Sequence, residues 1–128
     1  MLKILLIDDE PEVRHVVTEC LLAKDFHIDA PAVEDIDISR FTERAAVEGR
    51  YDLIILDLRL PHLDPLGLVE AVRKLEAPPP IMILAGFLSL EIESRLRGLG
   101  VRSFTTKPFT FSALLSSVDV CLATSAPI

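Results

Sequence analysis

Three runs of four consecutive apolar residues, Ile4 to Ile7, Leu53 to Leu56 and Ile81 to Leu84, restrict what this chain can fold into. Alternating apolar and polar residues would leave one sheet face to water, whereas unbroken runs need cover on both faces, as parallel strands in α/β proteins have. Between the runs the spacing becomes helical. Val13, Val16, Val17, Cys20 and Leu21 form one apolar stripe on a helix that opens at Pro11, with Asp9 and Glu10 ahead of it where acids suit a helix start. Leu68, Val69, Val72 and Leu75 mark a further helix that Pro78-Pro79-Pro80 ends. Ile92, Leu96 and Leu99 mark another, and Phe111, Leu114, Leu115, Val118 and Leu122 the last. A weaker strand near His27 to Val33, a helix from about Ile38 to Glu48 ended by Gly49, and a strand from Val101 to Thr105 complete five β-α units. Right-handed crossovers then predict a doubly wound five-stranded parallel sheet in a three-layer α/β sandwich, with too few units for a barrel of eight.

The 128 residues suit one domain, expected over 1–122, with 123–128 as a C-terminal tail or the start of a linker. Half of the residues are apolar and 26% are charged, so a buried core is within reach. Twenty acids against thirteen Lys and Arg give a net charge of −7, which repels nucleic-acid backbones and anionic lipid. No direct nucleic-acid contact and no membrane contact are expected. No apolar stretch approaches the roughly 20 residues of a membrane-spanning helix, and the first apolar run ends in Asp8-Asp9-Glu10, as a strand would and a signal peptide would not. Cys20 and Cys121 are too few and too far apart for a disulfide scaffold, and both fall on apolar helix faces, so buried thiols in a cytoplasmic protein are expected. His15, His27 and His62 form no cluster in the sequence.

In open α/β sheets the working site lies beyond the carboxyl ends of the strands. Here those ends carry Asp8-Asp9, Asp57, Ala85-Gly86 and Lys107-Pro108. Two unit charges about 4 Å apart repel by roughly 4 kcal/mol at an effective dielectric of about 20, so three converging carboxylates need a cation. Alone, Asp8 and Asp9 would read as acids capping the first helix; Asp57 and Lys107 make them part of a site. The donors are all oxygen, which favours a hard divalent ion such as Mg2+ over zinc. Asp57 is the candidate nucleophile towards a phosphoryl group, because a metal and a lysine offset the arriving charge. Lys107 supplies that point charge, and Pro108 suits a cis peptide that aims it inward.

The segments Ile4 to Pro11, Tyr51 to Pro61 and Phe104 to Phe109, in this order, resemble the receiver domain of two-component response regulators over essentially the whole chain. The resemblance implies a flavodoxin-like fold with strand order 2-1-3-4-5. It makes Asp57 the phosphoacceptor and Lys107 the phosphate partner, with Asp8, Asp9, Asp57 and the main-chain carbonyl of Arg59 around Mg2+. A histidine kinase or phosphotransfer protein would be the donor. Self-phosphorylation and slow autodephosphorylation would be the whole of its catalysis, within a phosphorelay switch that alters binding to a partner or output domain. The family also pairs through its fourth helix, fifth strand and fifth helix, where Arg95, Arg97, Arg102 and Asp119 lie here, so a homodimer through that face is a further expectation.

The switch positions depart from the family pattern. Ala85 stands where receivers usually carry Ser or Thr, and Phe104, the switch aromatic on strand five, lacks a hydroxyl. One lost hydrogen bond to a charged group is worth about 1.5–3 kcal/mol, which could bias the inactive-to-active population by about ten- to a hundredfold. Ala85 therefore also supports an alternative, a receiver-like interaction module that acts independently of phosphorylation. His62 and Pro65 replace the usual glycines, and Arg59 and Phe87 flank the expected path of a hydrolytic water. A flavin carrier on this fold would place a phosphate against Asp8-Asp9-Glu10, which repel it, and an Asp-x-Asp phosphatase would need an acid where Arg59 stands.

Overall fold

The computed structural model describes residues 2–33, 36, 51–61 and 63–124. Five strands form its sheet: β1 (Lys3–Ile7), β2 (His27–Asp29), β3 (Leu53–Asp57), β4 (Ile81–Ala85) and β5 (Ser103–Thr106). Among the described residues four helices accompany them: α1 (Pro11–Leu22), α2 (Pro65–Arg73), α3 (Leu90–Gly98) and α4 (Phe111–Thr124). The strands are all parallel and run in the order β2-β1-β3-β4-β5. The helix expected over Ile38 to Glu48 and its Gly49 stop lie outside the described residues, as does His62. Among the described residues no helix is long and apolar enough to cross a membrane.

The reason for the unbroken runs is visible in the packing. Leu5, Ile7, Ile54, Leu56, Ile81 and Ile83 face α2 and α3, where Leu68, Val69, Val72 and Leu96 meet them. Their neighbours Ile4, Leu6, Leu53, Ile55, Met82 and Leu84 face α1 and α4, against Val17, Cys20, Leu21, Leu114, Val118 and Cys121. Alternate side chains of one strand thus enter two separate cores, so every position must be apolar. Cys20 and Cys121 are buried free thiols in the second core.

Helix starts follow local chemistry. Pro11 and Pro65 each occupy a first turn, where their missing N–H has no partner to lose. The Asp64 carboxylate accepts from Leu66 N at 3.2 Å, the Ser89 hydroxyl from Ile92 N at 3.1 Å and the Thr110 hydroxyl from Ala113 N at 3.0 Å. After α3, Gly100 turns the chain with φ +99°, and a Cβ there would lie 2.8 Å from the Arg73 guanidinium. The backbone conformation favours glycine at this point, while the arginine tip could move aside.

Two strand boundaries differ from those expected. β2 ends at Asp29 rather than Val33, because its pairing with β1 stops there and Pro31 removes a donor soon after. β5 begins at Ser103 rather than Val101, because the Val101 amide bonds to Leu96 O and closes the end of α3. At the other end α4 runs on to Thr124, past the 122/123 boundary expected for the tail. Leu56 is fully buried on the central strand. Leu56→Ala is expected to cost about 2–5 kcal/mol, read as a lower urea midpoint at unchanged slope.

Candidate phosphoryl-transfer site

Register brings the two buried acids together. Ile7 is opposite Leu56 in the β1–β3 ladder, so Asp8 and Asp57, the next residues, leave adjacent strands side by side. Both are almost fully removed from water, at 0% and 1% exposure. Each ties one oxygen to a backbone amide two residues on: Asp8 Oδ1 accepts from Glu10 N at 2.9 Å, and Asp57 Oδ1 from Arg59 N at 3.2 Å. The other oxygen of each acid faces the Lys107 ammonium.

Lys107 enters from the far side of the sheet's centre. Its amide donates to Ala85 O at 2.8 Å, which fixes its backbone at the end of β4, and the Lys107–Pro108 peptide is cis. Its ammonium lies 3.0 Å from Asp8 Oδ2, 3.0 Å from Glu10 Oε1 and 3.2 Å from Asp57 Oδ2. The first two contacts are hydrogen bonds. The third is an ion pair without hydrogen-bond alignment, so Asp57 Oδ2 is a buried oxygen with no hydrogen-bond partner.

Burial raises the pKa of Asp57, with the Asp8 charge adding to it, and the Arg59 amide and Lys107 only partly offset this. Lys107 moves up as well: burial works against its charge, but bonds to Asp8 and Glu10 and the nearby Asp57 outweigh that. Carboxylate oxygens of Asp8, Glu10 and Asp57 all lie within 4.8 Å of one another. With only oxygen donors and one of them orphaned, this group fits a hard divalent cation such as Mg2+.

The expected site residues divide on this geometry. Asp8, Asp57 and Lys107 converge. Asp9 is exposed and outside the clustered acids, while Arg59 reaches the site through its backbone amide to Asp57. Glu10, read from the sequence only as an acid before the helix, is the member that pattern reasoning missed; its position two residues after Asp8, on the same turn, was the available signal. Ala85 is buried at the end of β4, and Phe104 is half-buried against the α2/α3 core. The Arg97 guanidinium covers the Phe104 ring at 4.7 Å from its centroid while pairing with Glu93 at 3.5 Å. Phe87, expected beside the hydrolytic water, is 83% exposed.

A parallel sheet of this order, with buried aspartates and a lysine at its carboxyl edge, defines the receiver class of signalling domain. The chain belongs to the response regulator receiver domain family, whose model matches residues 4–119. Transcriptional regulatory protein CusR of Escherichia coli (strain K12) is 31% identical over 99% of this chain and 54% of its own length. The chain thus spans about half the length of the curated relatives it matches. The non-phosphorylated HemR receiver domain from Leptospira biflexa is 26% identical with a TM-score of 0.83, covering 100% of this chain and 99% of that one. The Vibrio cholerae chemotaxis protein CheY4 is 26% identical with a TM-score of 0.80, covering 95% of this chain and 99% of its own.

A raised folded-state pKa means that Asp57 favours the native state only while protonated; that contribution is complete below the unfolded pKa and lost as pH rises through the folded one. In metal-free protein, Asp57→Asn is therefore expected to raise the urea midpoint at neutral pH. The gain should shrink as acid protonates wild-type Asp57. A lower midpoint for the variant at neutral pH would contradict this.

Proposed function

We propose that Asp57 accepts a phosphoryl group from a histidine kinase or phosphotransfer protein. The observation that carries this reading is the orphaned Asp57 Oδ2, buried without a hydrogen-bond partner and 3.2 Å from the Lys107 ammonium. In the transfer, Asp57 Oδ2 attacks phosphorus in line and the new O–P bond forms as the donor's N–P bond breaks. The imidazole nitrogen keeps the electron pair and takes a proton. Lys107 then meets a phosphate oxygen, and the Arg59 amide keeps Asp57 Oδ1 from competing as nucleophile. Asp8 and Asp57, joined by Asp9 and the Arg59 carbonyl in the family pattern, would hold Mg2+. The bound ion would offset negative charge on the reacting oxygens. Hydrolysis reverses the modification when water attacks phosphorus and Asp57 leaves.

The product alters binding to a partner or to an attached output domain, and the domain works in the cytoplasm. Ala85 offers no hydroxyl to the phosphate, so the signal would run chiefly through Lys107, which is bonded to the end of β4, and through β5 that leads to it. The intact Asp8–Asp57–Lys107 geometry favours this reading over an interaction module indifferent to phosphate.

Acetyl phosphate with Mg2+ is expected to add one phosphate-sized mass to wild type and none to Asp57→Asn, with altered amide exchange across residues 85–110. Mass gain without altered exchange would mean a phosphate sink; no gain would reject Asp57 as acceptor.

Pairing of two phosphorylated copies through α3, β5 and α4 is part of the same proposal, supported by exposed Arg95 on α3, Asp119 on α4 and Arg102 just before β5. Light scattering should then show a mass that rises with concentration in the phosphorylated form, and a constant monomer mass would remove the dimer.

A further inference from the structure

Glu10 stands outside the residues that the family resemblance assigns to phosphoryl transfer, yet it is bonded to the lysine of that set. Lys107 Nζ donates to Glu10 Oε1 and to Asp8 Oδ2, both at 3.0 Å, whereas its 3.2 Å approach to Asp57 Oδ2 is unaligned. The ammonium is thus committed to two acceptors on the β1 side. The orphaned oxygen is the one that must react.

Glu10 is well placed to hold it there. Its amide is bonded to Asp8 Oδ1 at 2.9 Å, and it precedes Pro11 as the capping residue of α1, so its backbone is fixed from both sides. Its carboxylate is 57% exposed and the lysine side chain only 14%, so Glu10 catches the ammonium at the rim of the cleft. We propose that Glu10 is a positioning residue that holds the Lys107 ammonium towards β1 in the resting protein, out of hydrogen-bond alignment with Asp57 Oδ2 although only 3.2 Å from it. The third N–H of the ammonium is out of line with Asp57 Oδ2, so Lys107 has to loosen the Glu10 contact to align on a phosphate oxygen there. The proposal rests on Asp57 being the acceptor. Because one partner is exposed, the tether acts as a brake of about two- to fivefold rather than a lock.

A negative charge near the cleft could also slow an anionic donor through space, and Glu10→Asp separates the two effects. It keeps the charge but is one methylene too short to hold the ammonium. Phosphorylation by acetyl phosphate with Mg2+, followed by intact mass, is compared for wild type, Glu10→Gln and Glu10→Asp, each also with Lys107→Met. Both Glu10 variants are expected to react about two- to fivefold faster than wild type, and the difference should vanish in the Lys107→Met background. Acceleration by Glu10→Gln alone, or acceleration that persists without Lys107, would overturn the tether. Unchanged rates in a protein that takes up phosphate would overturn it too while leaving Asp57 as acceptor. If wild type takes up no phosphate, the acceptor reading fails, and the tether is then judged on the resting protein. There the 13Cε signal of Lys107 should shift and show greater mobility in both Glu10 variants, and an unchanged signal overturns the proposal.

Discussion

The contact between the Lys107 ammonium and the carboxylates of Asp8 and Asp57 is the constraint on which the carboxyl edge of the sheet depends. Two acids almost wholly removed from water repel each other in a medium far less screening than solvent. Removing Lys107 would leave two buried anions facing each other, whereas without the Asp57 charge Lys107 would still be bonded to Asp8 and Glu10. The arrangement is therefore poor for stability and suited to chemistry, because a site short of positive charge is ready to take up a cation. One oxygen of each aspartate is tied to its own following turn, so the loops beyond β1 and β3 share the geometry that leaves the other oxygen to face Lys107.

The rest of the fold makes that edge rigid. Strands β1, β3 and β4 are buried on both faces, and their side chains divide between two cores. Displacing one strand end would disturb packing above and below the sheet together. Lys107 joins this frame through its amide bond to Ala85 O, so its charge is held from β4 although its side chain reaches towards β1. Phe104 sits differently, half-buried beneath the Arg97 guanidinium. Movement of β5 would be felt at that stacked pair, on the face where partner contact is proposed.

Most of the architecture was legible because its causes are local or periodic. Apolar runs that must serve two cores give the parallel strands, and Pro11 marks a helix start, whereas the Asp64 and Ser89 caps emerge only from the structure. Strand ends were less legible. Val101 continues an apolar pattern, yet its amide closes a helix, and His27 to Val33 reads as a strand although its pairing stops at Asp29. In both cases a long-range or turn hydrogen bond decides a boundary that side-chain character does not record. Glu10 was missed for a related reason: acids ahead of a helix are common, and only its contact with a lysine 97 positions away distinguishes it.

From the sequence alone follow a doubly wound sheet, an acid-rich carboxyl edge, and Asp8, Asp57 and Lys107 as residues that belong at that edge. Each is encoded in spacing or in position relative to an apolar run. Tertiary structure alone decided that Asp57 Oδ2 is orphaned, that the clustered acids are Asp8, Glu10 and Asp57, and that Lys107 leans towards β1. These depend on angles and distances between side chains far apart in the chain, set by how β1, β3 and β5 stack in register. Sequence pattern carries the period of a strand but not the direction in which a carboxylate at its end is turned.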